Sequence, residues 1–169
     1  MAAIRLFRSL LLSALFLPLG GGCTRAYLQN EGPYDFKAVE VLRDDCGLLA
    51  SPEALWDGEL FISGDVVRMR YGLMDALLVG RFLDGGSESD DAFSIDGTVT
   101  NASVTAHGAE CIVDQVTLHV EGTTQCATEF KGVLSVRYEP RASQAACACQ
   151  LWVQYQAVQQ NARPCATSP

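Results

Sequence analysis

Alternation of apolar and polar side chains is the feature that most limits the folds open to this chain. It is clearest over 128–139, where Phe130, Leu134 and Tyr138 are separated by charged and hydroxyl residues. Successive side chains of a β-strand point to opposite faces of the sheet, so this segment predicts a strand with one buried and one wet face. The segment 147–158 repeats the same period of two.

Shorter segments with a similar pattern occur earlier in the chain and are separated by turn residues. They cover 37–42, 59–63, 66–71, 73–83, 92–95, 98–105 and 110–120. Gly64-Asp65 and Glu121-Gly122 predict tight turns, and Asp96-Gly97 predicts either a turn or a bulge. A short helical turn is expected from Ser51, with Pro52 at its first helical position.

About eight strands with connections of hairpin length predict an all-β fold, built as an antiparallel meander. Free sheet edges invite aggregation, so such strands either close into a ring or form two facing sheets. We therefore expect a lipocalin-like barrel or a strongly curved β-sandwich. An immunoglobulin-like sandwich is the alternative, and the absence of the Cys-Trp-Cys spacing of immunoglobulin domains weighs against it.

The N-terminus has the three-part layout of a secretory signal. Arg5 and Arg8 come first, an apolar run follows over 10–17, and small residues lead into Cys23. The apolar run is too short to span a bilayer, which needs roughly 20 apolar residues. The layout therefore predicts a cleaved signal peptide over 1–22.

Gly20-Gly21-Gly22-Cys23, after this leucine-rich run, resembles the lipobox of bacterial lipoproteins. The resemblance implies that the Cys23 sulfur receives a diacylglyceryl group, that acyl chains such as palmitate anchor the protein in a membrane, and that cleavage precedes Cys23. Together with the length and strand pattern of the remaining chain, it divides the sequence into a signal peptide (1–22), a lipidated N-terminus and tether (23–33) and a single β domain (34–169). It also implies a place in the cell envelope, at the outer membrane, with a secreted or periplasmic protein as the alternative. Gly20 departs from the family pattern, which usually has leucine there.

The cysteine count agrees with lipidation. The chain has seven cysteines, and an exported protein is expected to leave no spare thiol. Removing Cys23 leaves six, enough for three disulfides, and six cysteines allow 15 pairings. The six disulfide candidates are Cys46, Cys111, Cys126, Cys147, Cys149 and Cys165.

Strand geometry restricts some of these pairings. Cys147 and Cys149 lie on one face of a strand, where side chains two residues apart are held about 6.5 to 7 Å apart, so a direct bond between them is strained. Each is expected to pair elsewhere, and Cys46 and Cys165 are the candidates by elimination. A bond between Cys111 and Cys126 needs a bulge or a different register if the chain turns at Glu121-Gly122.

Charge excludes one class of partner. The full chain carries a net charge of −8, which becomes −10 when Arg5 and Arg8 leave with the signal peptide. Nucleic acid is therefore not an expected partner, because phosphates need a basic patch. An anionic membrane surface should also repel the domain, so attachment is expected to come from the lipid.

No catalytic or metal-binding pattern is present. His107 and His119 are the only histidines, and nothing in the sequence places them together. A serine or cysteine nucleophile therefore has no evident base. The acidic segment 84–91 offers the oxygen ligands that Ca²⁺ prefers, but it lacks the spacing of a calcium loop and is interpreted as solvated. We expect no cofactor, no metal and no enzymatic activity.

The sequence favours a non-enzymatic envelope lipoprotein that binds a partner protein or a surface component. A carrier of a small apolar ligand is the alternative, and a hydrolytic enzyme is the second alternative. Phe130, Tyr138, Trp152 and Tyr155 are expected inside the barrel, where they either fill it or line a cavity. A pocket larger than about 300 Å³ would favour the carrier.

Overall fold

A computed structural model describes residues 28–49, 55–83 and 92–165. Eight antiparallel strands form one closed barrel in chain order, with β8 paired to β1. The strands are β1 (Gly32–Asp44), β2 (Gly58–Ser63), β3 (Val66–Tyr71), β4 (Ala76–Phe82), β5 (Ala92–Ala106), β6 (Ala109–Cys126), β7 (Glu129–Pro140) and β8 (Cys149–Gln159). Short 3₁₀ turns lie at Leu73–Asp75 and Ala142–Cys147. The prediction of an all-β antiparallel meander is confirmed.

Among the described residues, no helix is both long enough and apolar enough to cross a bilayer. β1 begins at Gly32, inside the segment expected to be the tether, because residues 32–34 pair with β2. Four features expected from the sequence lie outside the described residues. They are the signal peptide over 1–22, Cys23, the helical turn from Ser51, and the acidic segment 84–91.

The predicted turn at Glu121-Gly122 is wrong, and Asp96-Gly97 is not a turn. β5 and β6 pass through these positions as unbroken strands, and the hairpin turn lies instead at 127–128. Gly122 leaves room for the Phe93 ring to pack against β6, since a Cβ at this position would lie 2.3 Å from that ring. Gly97 is similar, since its Cβ would meet the Leu77 carbonyl oxygen at 2.9 Å.

The strands tilt strongly around the barrel. One row of cross-strand partners circles the outer wall through Phe61, Arg68, Val79, Asp96, His119, Ser135, Trp152 and Arg43. The row starts at Phe61, beside the β1 residues that pair with β2, and ends near the opposite end of β1. Such a stagger is what closes a sheet into a barrel.

The barrel has two ends that we call the entry end and the far end. At the entry end the chain enters β1, and the Asn30 N–H donates to the Ala127 carbonyl in the β6–β7 turn. The Cys126–Cys165 disulfide lies beside the same turn. At the far end, the His107 N–H in the β5–β6 turn donates to the Cys46 carbonyl.

Aromatic rings fill the interior. Phe130 lies at the centre of the cluster, with its ring centroid 4.9 Å from Tyr34, 5.7 Å from Phe36, 5.3 Å from Phe93 and 6.0 Å from Tyr155. The expected inward positions of Phe130, Tyr138 and Tyr155 are confirmed, since all three are buried. The expected inward position of Trp152 is wrong. Trp152 lies two residues from both Gln150 and Gln154, so it points to the outer wall with them, and it is 45% exposed.

The six disulfide candidates form three bonds. They are Cys46–Cys149, Cys111–Cys147 and Cys126–Cys165. Cys149 is bonded to one of its two expected partners, whereas Cys147 is bonded to Cys111. Because β6 continues to Cys126, Cys111 lies at the far end of the barrel and Cys126 at the entry end, so these two residues cannot meet.

Candidate binding surface

Among the residues that the structure describes, the second half of β1 forms an open sheet edge. β1 pairs with β2 only through Gly32, Pro33 and Tyr34, whereas its other side pairs with β8 along nearly its whole length. In the part of the chain that the structure describes, residues 35–44 have no backbone partner on the side away from β8. An unpaired edge is a template to which another extended chain can add.

Bulges expose the side chains of this edge. The register between β1 and β8 shifts at Val39 and again at Leu42. The alternation of buried and exposed residues therefore breaks, and residues 39–43 are all exposed. Val39 is the most exposed, at 66%.

We call the outer wall of β1 and β8 the edge face. Its exposed apolar members are Val39, Leu42 and Trp152, whereas Val41, the partner of the buried Val153, has the inward parity and is exposed at the edge itself. Trp152 is the only aromatic among them, and its cross-strand partners are Arg43 on β1 and Ser135 on β7. A large exposed aromatic beside aliphatic and arginine side chains is the composition typical of a protein-binding hot spot.

Open depressions lie on either side of Trp152 on this wall. One, of about 610 Å³, is lined by Val39, Lys131, Val133 and Gln154 among others. The other, of about 540 Å³, is more polar and includes Arg43, Arg137 and Gln150. Both exceed the volume expected to favour a ligand carrier. They are on the outer wall, however, and so do not provide the enclosed interior that such a carrier uses.

The two histidines are not brought together. His107 lies in the β5–β6 turn at the far end, and His119 lies in the middle of β6 on the outer wall. The ten steps along β6 from Ala109 to His119 span about 33 Å. Their separation agrees with the sequence, which gave no reason to expect a shared site.

His119 nevertheless has acidic neighbours that the sequence analysis did not identify. Its Nδ1 lies 2.7 Å from Asp96 Oδ1, and its Nε2 lies 3.1 Å from Glu121 Oε1. Partial burial lowers the pKa of His119, but the hydrogen bonds to Asp96 and Glu121 outweigh that effect and raise it. Because both ring nitrogens face carboxylates, neither is free to take a proton from a nucleophile.

Cys126, Glu129 and Cys165 have ligand atoms within 4.8 Å of one another, which is a spacing that suits a metal ion. The two sulfurs are bonded to each other, so neither is a thiolate. The Glu129 carboxylate accepts hydrogen bonds from Gln156 Nε2 at 2.7 Å and from the Cys165 N–H at 2.8 Å. The cluster therefore fastens the C-terminal segment to the barrel.

The edge face was not expected from the sequence, although signals for it were present. The run Val39-Glu-Val-Leu42 is apolar on both faces of β1, which is unusual for a strand with one wet face. Trp152 stands among Gln150, Gln154 and Gln156, at the outward parity of β8. The open edge itself carries no local signal, because it depends on where the β1–β2 pairing ends.

The chain matches no known family model, no curated protein and no solved structure.

Proposed function

We propose that this protein is an envelope lipoprotein, anchored through Cys23, whose disulfide-stabilised barrel binds a partner protein and catalyses no reaction. The observation that carries the binding role is the open edge of β1 beside the exposed Trp152. Transport of a small apolar ligand is the weaker candidate, because rings fill the centre of the barrel.

The proposed anchor is supported by the sequence before the barrel and by the cysteines within it. Gly20-Gly21-Gly22-Cys23 resembles a lipobox, and the remaining six cysteines all form disulfides. Disulfides persist in oxidising compartments outside the cytoplasm, where lipoproteins are found. Leu28, the first described residue, is 60% exposed at the entry end, so the described chain begins on the protein surface there.

The proposed partner contributes an extended segment that adds to β1 along residues 35–44. Backbone hydrogen bonds along the edge would supply affinity, and side-chain contacts would supply specificity. The added segment would lie on the far side of β1 from β8, so Trp152 would reach its side chains across Arg43 on the outer wall. The charges along the edge alternate in sign, with Lys37, Glu40 and Arg43, so the fitting segment has mixed charge.

The binding role is tested by placing a photo-crosslinking amino acid at Val39 in the protein expressed in its own cells. We expect a discrete adduct with one protein, and we expect Trp152→Ala to reduce its yield, since loss of a hot-spot side chain weakens binding by about 30-fold or more. Ile112, which is 43% exposed at the far end, is the control position and should give no such adduct. Equal adducts at both positions, or a yield that ignores Trp152→Ala, would contradict the proposal.

The anchor is tested by intact-mass and peptide-level mass spectrometry of the protein from its native envelope. We expect a mature chain that starts at Cys23 and carries acyl chains, and a gain of six hydrogens on reduction, two for each disulfide. Cys23→Ser should abolish the acyl mass and release the protein from the membrane fraction. An unmodified Cys23 in the native protein would overturn the anchor and leave the binding role to be judged by crosslinking.

A further inference from the structure

We infer that the outer wall of β2, β3 and β4 docks onto the phosphate groups of an anionic lipid bilayer and so sets how the barrel sits on its membrane. We call this wall the arginine face and define it by Phe61, Arg68, Leu77, Val79 and Arg81. The inference rests on the proposed lipid anchor, because the anchor holds the barrel close to the bilayer.

Exposed apolar side chains and arginines alternate on this wall. Phe61 and Val79 flank Arg68 as its cross-strand partners, and Leu77 is the partner of Arg70. Leu77 is 59% exposed, Val79 44% and Phe61 40%. Apolar groups that can enter the headgroup region, next to cations that can bind phosphate, are what an interfacial membrane contact requires.

Two of the arginines lack an acidic partner. Arg70 is placed between Glu59 and Asp75, at 4.0 and 3.8 Å. By contrast, Arg68 and Arg81 have no carboxylate within 4 Å in the described ranges. Arg68 on β3 and Arg81 on β4 are diagonal neighbours on the same face of the sheet. The backbone positions of such neighbours lie about 7–8 Å apart. Two unpaired guanidinium groups at this spacing favour a shared anion such as a lipid phosphate.

The arginine face lies next to the point where the chain enters the barrel. Gly32 pairs with Leu60, and the Glu31 side chain accepts a hydrogen bond from the Ile62 N–H. Phe61 is therefore beside Glu31, eight residues after Cys23. Eight residues reach at most about 26–29 Å, so a lipid on Cys23 keeps this wall within reach of the headgroups.

The negative charge of the whole domain does not prevent this contact. At physiological ionic strength the screening length is about 8 Å, so charges on the other walls of the barrel are largely screened from the lipid. The anchor also converts docking into an intramolecular event with a high effective concentration, which makes a weak contact sufficient. The acidic segment 84–91, which follows β4 in the chain, lies outside the described residues.

The test uses the mature chain with Cys23→Ser, so that no acyl chain contributes to binding. We expect it to co-sediment with phosphatidylcholine vesicles that contain phosphatidylglycerol and not with phosphatidylcholine alone. Arg68→Ala and Arg81→Ala should each weaken binding about fivefold, and together about 25-fold. Arg141→Ala removes the same charge at the far end and should leave binding within twofold. Equal loss in Arg141→Ala, or no preference for the anionic vesicles, would overturn the inference.

A second measurement examines the anchored protein and separates this inference from the proposed function. Phe61→Trp and Ile112→Trp place an added indole at the entry and far ends, in the presence of the same native tryptophans. With the acylated protein in bilayers of brominated phosphatidylglycerol, Phe61→Trp should show the greater quenching. Equal quenching in an acylated protein would overturn the docking face and leave the anchor intact. Absence of acylation would overturn the anchor, and the vesicle assay would still judge the arginine face.

Discussion

Replacing Cys46 and Cys149 together by serine is expected to lower the free energy of unfolding by about 4–5 kcal/mol, because their bond closes a loop of about 100 residues. That loss is comparable to the whole stability of many domains of this size. Both sulfurs are also buried, so the serine hydroxyls would lose their hydration. Urea unfolding under non-oxidising and metal-free conditions measures the change.

The Cys126→Ser, Cys165→Ser double variant is the matched control. Its bond joins residues 39 apart in sequence, against 103 for Cys46 and Cys149. The same loop-closure argument predicts a loss smaller by about 1 kcal/mol. If the control were the more damaging of the two variants, loop closure would not be the main source of stabilisation.

Phe130→Ala is expected to cost about 3–5 kcal/mol, which is the usual range for truncating a fully buried phenylalanine. Phe130 is fully buried and is in ring contact with Tyr34, Phe36, Phe93 and Tyr155, which come from three other strands. Its removal leaves a cavity that side chains on a closed wall cannot easily fill. Thermal or urea unfolding of the purified mature chain measures the loss.

Phe61→Ala is the control for this core variant, since it removes the same atoms from the outer wall. Phe61 is 40% exposed, and its replacement should change stability by no more than about 0.5 kcal/mol. Similar losses in the two variants would mean that the interior is not the aromatic core described above. The same control bears on membrane docking, because Phe61→Ala should weaken vesicle binding without destabilising the barrel.

Periodicity predicted the fold class because each strand has one face in the core and one in water. It could not place every turn. Gly97 and Gly122 have the composition of turn residues, but they are glycines because a backbone carbonyl and a phenylalanine ring approach them closely. Close approach is a property of two strands that are distant in sequence, and a local pattern does not contain it.

The disulfide pairing and the binding surface were also not predicted, because both depend on which residues of neighbouring strands pair with each other. Cys111 meets Cys147 only because β6 is 18 residues long, and that length was hidden by the mistaken turn. Trp152 could have been assigned correctly, since its parity matches that of the glutamines on either side. The open edge of β1 could not, because it exists only where β2 stops pairing.

The two termini of the barrel are fastened to the same hairpin turn. Asn30 is hydrogen-bonded to Ala127, the Arg163 carbonyl accepts from Thr128 Oγ1 at 3.0 Å, and Cys165 is bonded to Cys126. The ring of strands therefore begins and ends at one place. Any sequence added before or after the domain, such as a fusion or an affinity tag, emerges at the entry end, while the β5–β6 turn at His107-Gly108 offers an insertion point at the opposite end of the barrel.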